Sequence, residues 1–110
     1  MSRQLLAIAP IRTRYVNTLE GHIYVMPDPY DSYFSYLQIF DADDTPLITP
    51  TVNLSSLGHA PLDRYNVFIQ TWGPNDGILQ PLLDARVISA PIRTIDLDAY
   101  EAFECAILNP

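Results

Sequence analysis

The stretch Tyr33-Phe34-Ser35-Tyr36-Leu37-Gln38-Ile39-Phe40, followed by Asp41-Ala42-Asp43-Asp44-Thr45-Pro46, decides the class of fold. Successive side chains of a strand point to opposite faces, which puts Phe34, Tyr36 and Phe40 on one side and Tyr33, Leu37 and Ile39 on the other. Both faces are apolar or aromatic, so the run reads as a strand covered twice, by the domain's own elements or by a second copy. The polar group after it has the composition of a hairpin loop. It returns the chain as a strand over residues 47–54, whose Pro50 favours an edge position or a bulge because proline has no N–H to give to a ladder.

Upstream, residues 15–26 are rich in β-branched and aromatic side chains around Glu20-Gly21, which either turn a hairpin or bulge one continuous strand. Downstream, residues 55–63 form a loop and residues 66–72 a further strand. Short connections between sequential strands favour antiparallel neighbours. After Gly73-Pro74-Asn75-Asp76-Gly77 the period changes: Ile78, Leu79, Leu82 and Leu83 share one face of a helix, with Asn75 or Asp76 suited to cap it. The helix is placed near residues 76–85. Pro81 requires either a kink or a shorter helix with the proline in its first turn. Strand chemistry returns from Val87, with Ile92, Thr94 and Ile95, then residues 102–108 beyond a polar turn. Trp72 is expected to plug the core above the helix. The expected fold is α+β over residues 1–110 as one domain: a mainly antiparallel sheet of five to six strands with one short helix packed on it.

Composition narrows the function. The chain has 110 residues, 48% of them apolar or aromatic and 17% charged, enough apolar content to fold around a core without a metal or disulfide. Thirteen acidic residues face six Arg and no Lys, for a net charge of −7. Such a field repels phosphate backbones, so direct binding of DNA or RNA is not expected. Six of the thirteen acids lie between Glu20 and Asp44, and no Arg occurs between Arg14 and Arg64. The apolar run from Leu5 to Ala9 is shorter than the roughly 7 to 15 residues of a signal-peptide core, and no stretch reaches the ~18 of a membrane span. The expectation is a soluble cytoplasmic protein, with no cleaved leader and no membrane partner. The single Cys105 fits a reducing compartment and reads as a small buried hydrophobe in the C-terminal strand.

No pattern specifies chemistry. Asp41, Asp43 and Asp44 lack the converging ligands and terminal Glu of a calcium loop, so no metal is assigned. His22 and His59 have no nucleophile set beside them by spacing, and the four glycines make no phosphate loop. No cofactor and no catalytic residues are assigned. A solvated hairpin tip accounts for the acids, and sheet packing for Tyr33 and Tyr36. Read functionally instead, Asp28, Asp31, Asp41, Asp43 and Asp44 supply charge and Tyr30 and Tyr33 supply anchors for a basic partner, because tyrosine joins a large apolar ring to a polar tip.

Residues 52–108 carry Val52-Asn53-Leu54, Val67-Phe68-Ile69-Gln70-Thr71-Trp72, and Asn75-Asp76-Gly77-Ile78-Leu79 followed by Leu82-Leu83-Asp84-Ala85 and Val87-Ile88. This block resembles an uncharacterised family of small acidic proteins from bacterial phages and conjugative elements. The resemblance implies a mobile-element setting and transfers no catalytic residue. With the acidity, it points to an anti-defence protein of anti-CRISPR or anti-restriction type. Such a protein would bind a basic host protein or ribonucleoprotein effector through an acidic face. The alternatives are a structural or regulatory phage protein, homodimeric through residues 33–40, and a small hydrolase. A hydrolase would need a pocket uniting His59 or His22 with two acidic groups.

Overall fold

In the computed structural model, which describes residues 3–110, two four-stranded antiparallel sheets share one core, and a single short helix lies against them. The first sheet runs in sequence order: β1 (Gln4–Arg12), β2 (Asn17–Pro27), β3 (Ser35–Phe40) and β4 (Pro46–Ile48). In the second, β5 (Thr51–Val52) pairs β6 (Asn66–Gln70), which pairs β8 (Glu101–Ala106), with β7 (Arg93–Asp96) outside. The expected mainly antiparallel structure with one short helix is present, but as two sheets and eight strands rather than one sheet of five or six.

Pro50 accounts for the division. The strand expected over residues 47–54 breaks at Thr49-Pro50, so that β4 ends the first sheet and β5 begins the second. Proline cannot donate to a ladder, and here its carbonyl instead accepts the Gln70 N–H at 2.9 Å. The corner is fixed by side chains as well. Asn75 Nδ2 donates to the Thr49 carbonyl at 2.7 Å, and the Leu37 N–H donates to Thr51 Oγ1 at 3.3 Å across the gap between the sheets.

The N-terminal run assessed above only as a leader is in fact the edge strand β1. Pro10 is tolerated there, at an irregularity between Ala9 and Ile11, because one side of the strand has no ladder partner. The hairpin turn that joins β1 to β2 sits at residues 13–16, closed by Thr13 N–H to the Val16 carbonyl, with Thr13 Oγ1 accepting the Tyr15 and Val16 N–H groups. Of the two roles expected for Glu20-Gly21 the structure takes the second: β2 runs on through both residues and bulges there, the step from Thr18 to Gly21 holding one residue more than the step from Ile11 to Ala9 that it pairs. Gly21 lies inside β2, where a Cβ would collide with Ile11 Cγ1 and stand 3.1 Å from the Ala9 carbonyl.

In β3 the alternation is as expected, but the coverage is not. Leu37 and Ile39 are fully buried, with Ile23 and Val25 of β2, against Val67, Ile69 and Cys105 of the second sheet. Tyr36, Gln38 and Phe40 on the other face are only half-buried. Phe40 meets Tyr24 edge to face at 5.5 Å, and the Arg3 guanidinium lies over both rings. β3 is an inner strand of the sheet, bonded to β2 along its length and to β4 at Ile39 and Phe40.

The helix α1 (Leu79–Asp84) takes the shorter of the two expected forms, with Pro81 in its first turn. Asn75 and Asp76 do not cap it; Asn75 is buried in the corner contact, and the Asp76 carboxylate lies 3.6 Å from Arg14. Ile78 and Leu82 drop into the shared core. Trp72 stacks on Tyr100, near the β7–β8 hairpin rather than above the helix.

Candidate functional site: a cavity between the β2–β3 hairpin and the loop after β5

The second sheet has a second buried face, and a carboxylate sits in it. Phe68 on β6 and Arg93 on β7 flank Glu104 on β8 in the ladder, and all three side chains fall on the face opposite Cys105. Glu104 is completely buried. Its Oε2 accepts the Leu62 N–H at 2.7 Å and Asn66 Nδ2 at 2.8 Å, while Oε1 pairs with Arg93 Nε. Arg93 Nη2 also donates to the Ala60 carbonyl at 2.8 Å. Burial alone would raise the Glu104 pKa; the Leu62, Asn66 and Arg93 hydrogen bonds and the Arg93 charge outweigh it and hold the carboxyl below its ordinary 4.5. The pair thus clamps residues 60–62 onto the sheet. Sequence reading passed over it, although an acid inside the apolar run of residues 102–108 was the available signal.

The clamped loop is one wall of a cavity of about 550 Å³. The facing wall is the β2–β3 hairpin, which carries Asp28, Tyr30 and Asp31, and the floor includes Tyr36, Gln38 and Phe68. Two contacts join the walls. Asn53 Nδ2 donates to Asp28 Oδ2 at 3.4 Å, and Arg64 Nε donates to the Tyr33 carbonyl at 3.2 Å with its guanidinium over the Tyr33 ring. The hairpin itself is built by its aspartates. Asp28 Oδ1 accepts the Tyr30 N–H at 2.8 Å and Asp31 Oδ1 the Tyr33 N–H at 3.0 Å, which is the usual way a short acidic side chain closes a turn. Tyr30 is left 90% exposed and Tyr33 58%. Across the cavity, Leu57 and Leu62 are exposed on the loop.

The seven residues singled out for partner binding therefore separate into two groups. Asp28, Tyr30, Asp31 and Tyr33 come together on one hairpin. Asp41, Asp43 and Asp44 form the β3–β4 turn at the other end of β3, where six extended residues span about 20 Å. There Asp41 Oδ1 accepts the Asp43 and Thr45 N–H groups, and Asp44 pairs with Arg3 at 2.7 Å. The acidic half is thus less unmatched than its sequence suggests. Arg3 and Arg64, distant along the chain, return to it through space.

His59 lines the cavity, as do Asp28 and Asp31, so the combination required for the hydrolase alternative is brought to one place. No hydrogen bond links His59 to either acid, and Asp28 is engaged at both oxygens. His22 lies elsewhere, on β2 opposite Phe40. Cys105 is buried as expected, and burial together with the Glu104 charge pushes its thiol up to about 11, so it stays protonated and inert. Among the described residues no three His, Cys, Asp or Glu side chains converge as a metal-ligand group, and no helix is long and apolar enough to cross a membrane. No protein-family model matches the chain, and neither a curated protein nor a solved structure matches it significantly.

Proposed function

We propose that this chain is a non-enzymatic anti-defence protein of a phage or other mobile element, of anti-CRISPR or anti-restriction type, acting in the bacterial cytoplasm. It binds a basic effector protein or ribonucleoprotein and keeps nucleic acid off it. The observation that carries this reading is the hairpin at residues 28–34: two strongly exposed tyrosines beside two carboxylates, on a chain of net charge −7. Exposed tyrosine supplies interface area at low entropic cost, and a complementary field speeds docking to a basic channel. Because the acidic turn at residues 41–45 stands at the far end of β3, the hairpin acts without it.

The test is competition for nucleic acid on purified CRISPR effectors and restriction enzymes. Expected is inhibition that weakens as salt is raised and is lost in Asp28→Asn/Tyr30→Ala/Asp31→Asn. The variant Asp41→Asn/Asp43→Asn/Asp44→Asn inhibits as the parent does. Asparagine keeps the side-chain oxygen that closes each turn, so these variants change charge without unmaking the hairpins. Full inhibition by the residue-28 to 31 variant would overturn the reading.

The placement of His59, Asp28 and Asp31 around one cavity favours a second reading, a small hydrolase. On that account the chain turns over an ester or amide and His59→Ala abolishes the turnover; on the leading account the parent shows no such turnover.

A further inference from the structure

The cavity has a chemical character that its outer rim does not reveal. Its lining combines two carboxylates, Asp28 and Asp31, with the aromatic rings of Tyr30, Phe34, Tyr36 and Phe68, and none of the lining residues is Arg or Lys. Both carboxylates lack an ion-pair partner among the described residues, and Asp31 is engaged only through the oxygen that closes its turn. Carboxylates beside aromatic faces suit a flat, delocalised cation. A guanidinium can donate two parallel N–H groups to the two oxygens of a carboxylate and also stack on a ring, whereas an ammonium does only part of this. A hard metal ion would need several convergent oxygens, and the described residues supply no such group. At about 550 Å³ the cavity is within the range of ligand pockets and leaves room for residues flanking one side chain.

We infer that this cavity receives an arginine side chain from an extended segment of the partner protein. The inference rests on the reading of the chain as a binder of basic effectors and specifies how one of their residues is held. Exposed Tyr30 on the hairpin wall, and exposed Leu57 and Leu62 in the same loop as the lining residues Ser55, His59 and Pro61, contact the neighbours of the inserted side chain in the segment. The Glu104–Arg93 clamp keeps the loop wall in place before the ligand arrives, so little ordering is needed on binding.

The test is a two-dimensional amide NMR titration with acetyl-Gly-Arg-Gly-amide, its citrulline counterpart and agmatine. The arginine peptide is expected to give saturable shifts confined to residues 28–38 and 53–68. Binding should weaken about tenfold or more with citrulline, which keeps the shape and loses the charge, and similarly in Asp28→Asn/Asp31→Asn, whose spectrum confirms its fold. Absent or unsaturable shifts, equal shifts at residues 41–45, or equal binding of citrulline would overturn the inference. Tighter binding of agmatine than of the peptide would overturn the assignment to a protein segment. The titration contains no effector, so its failure with inhibition intact removes the arginine site alone. Peptide binding without inhibition of any effector removes the anti-defence reading alone.

Discussion

Glu104→Ala is expected to destabilise the fold by about 2–5 kcal/mol, because it removes a fully buried carboxylate and leaves the Leu62 N–H and the Asn66 amide as buried donors without an acceptor, while the partly exposed Arg93 can turn to water. The Leu62 N–H, the Asn66 amide and Arg93 all donate to this one carboxylate, which has no exposed surface. Domains of this size are stable by only about 5–15 kcal/mol, so chemical denaturation should show the loss plainly. Glu104→Gln should also destabilise, by about 1–3 kcal/mol, since an amide offers a single acceptor oxygen and turns its NH₂ toward one of the donors. The pH dependence has a definite sign. The Glu104 carboxyl is held below its ordinary 4.5, so its contribution is present above about that pH and is lost as the pH falls through the lower folded value. The stability gap between parent and Glu104→Gln should therefore narrow in acid. A gap that stays constant across that range, or a cost for Glu104→Ala under about 1 kcal/mol, would mean the clamp does not hold the loop.

The second large effect distinguishes the two faces of β3. Ile39→Ala should cost about 2–5 kcal/mol, since Ile39 is fully buried where the two sheets meet and its removal leaves a cavity there. Tyr36→Ala, on the half-buried face at the floor of the cavity, should cost less than half as much while weakening binding of the arginine peptide. Equal costs for the two substitutions, measured by urea unfolding, would restore the reading of β3 as a strand covered on both sides.

That contrast shows what sequence could convey. The alternation in residues 33–40 correctly identified a strand, and Pro81 correctly limited the helix, because both follow from local geometry. Coverage of the second face of β3 was not legible, since aromatic residues suit a buried face and a ligand-binding floor equally well. The division into two sheets depended on whether Pro50 bulged a strand or ended it, and the deciding partners, Gln70 and Asn75, are 20 or more residues away along the chain. β1 escaped notice because Pro10 argues against a strand unless the strand is known to be at an edge. Asp28, Tyr30 and Asp31 stood out by composition as candidates. Their cavity was not, because its other wall is a loop placed by Glu104, a residue that composition alone reads as part of an apolar run.

The central claim is that the partner is held at the hairpin and clamped-loop end of the molecule rather than at the acidic turn across β3. Amide hydrogen exchange, compared for the free protein and its complex with an effector whose nucleic-acid binding it blocks, tests this directly. The account predicts added protection in residues 28–36 and 55–65 and none in residues 41–45. Protection centred on residues 41–45, with the hairpin and loop unchanged, would contradict it.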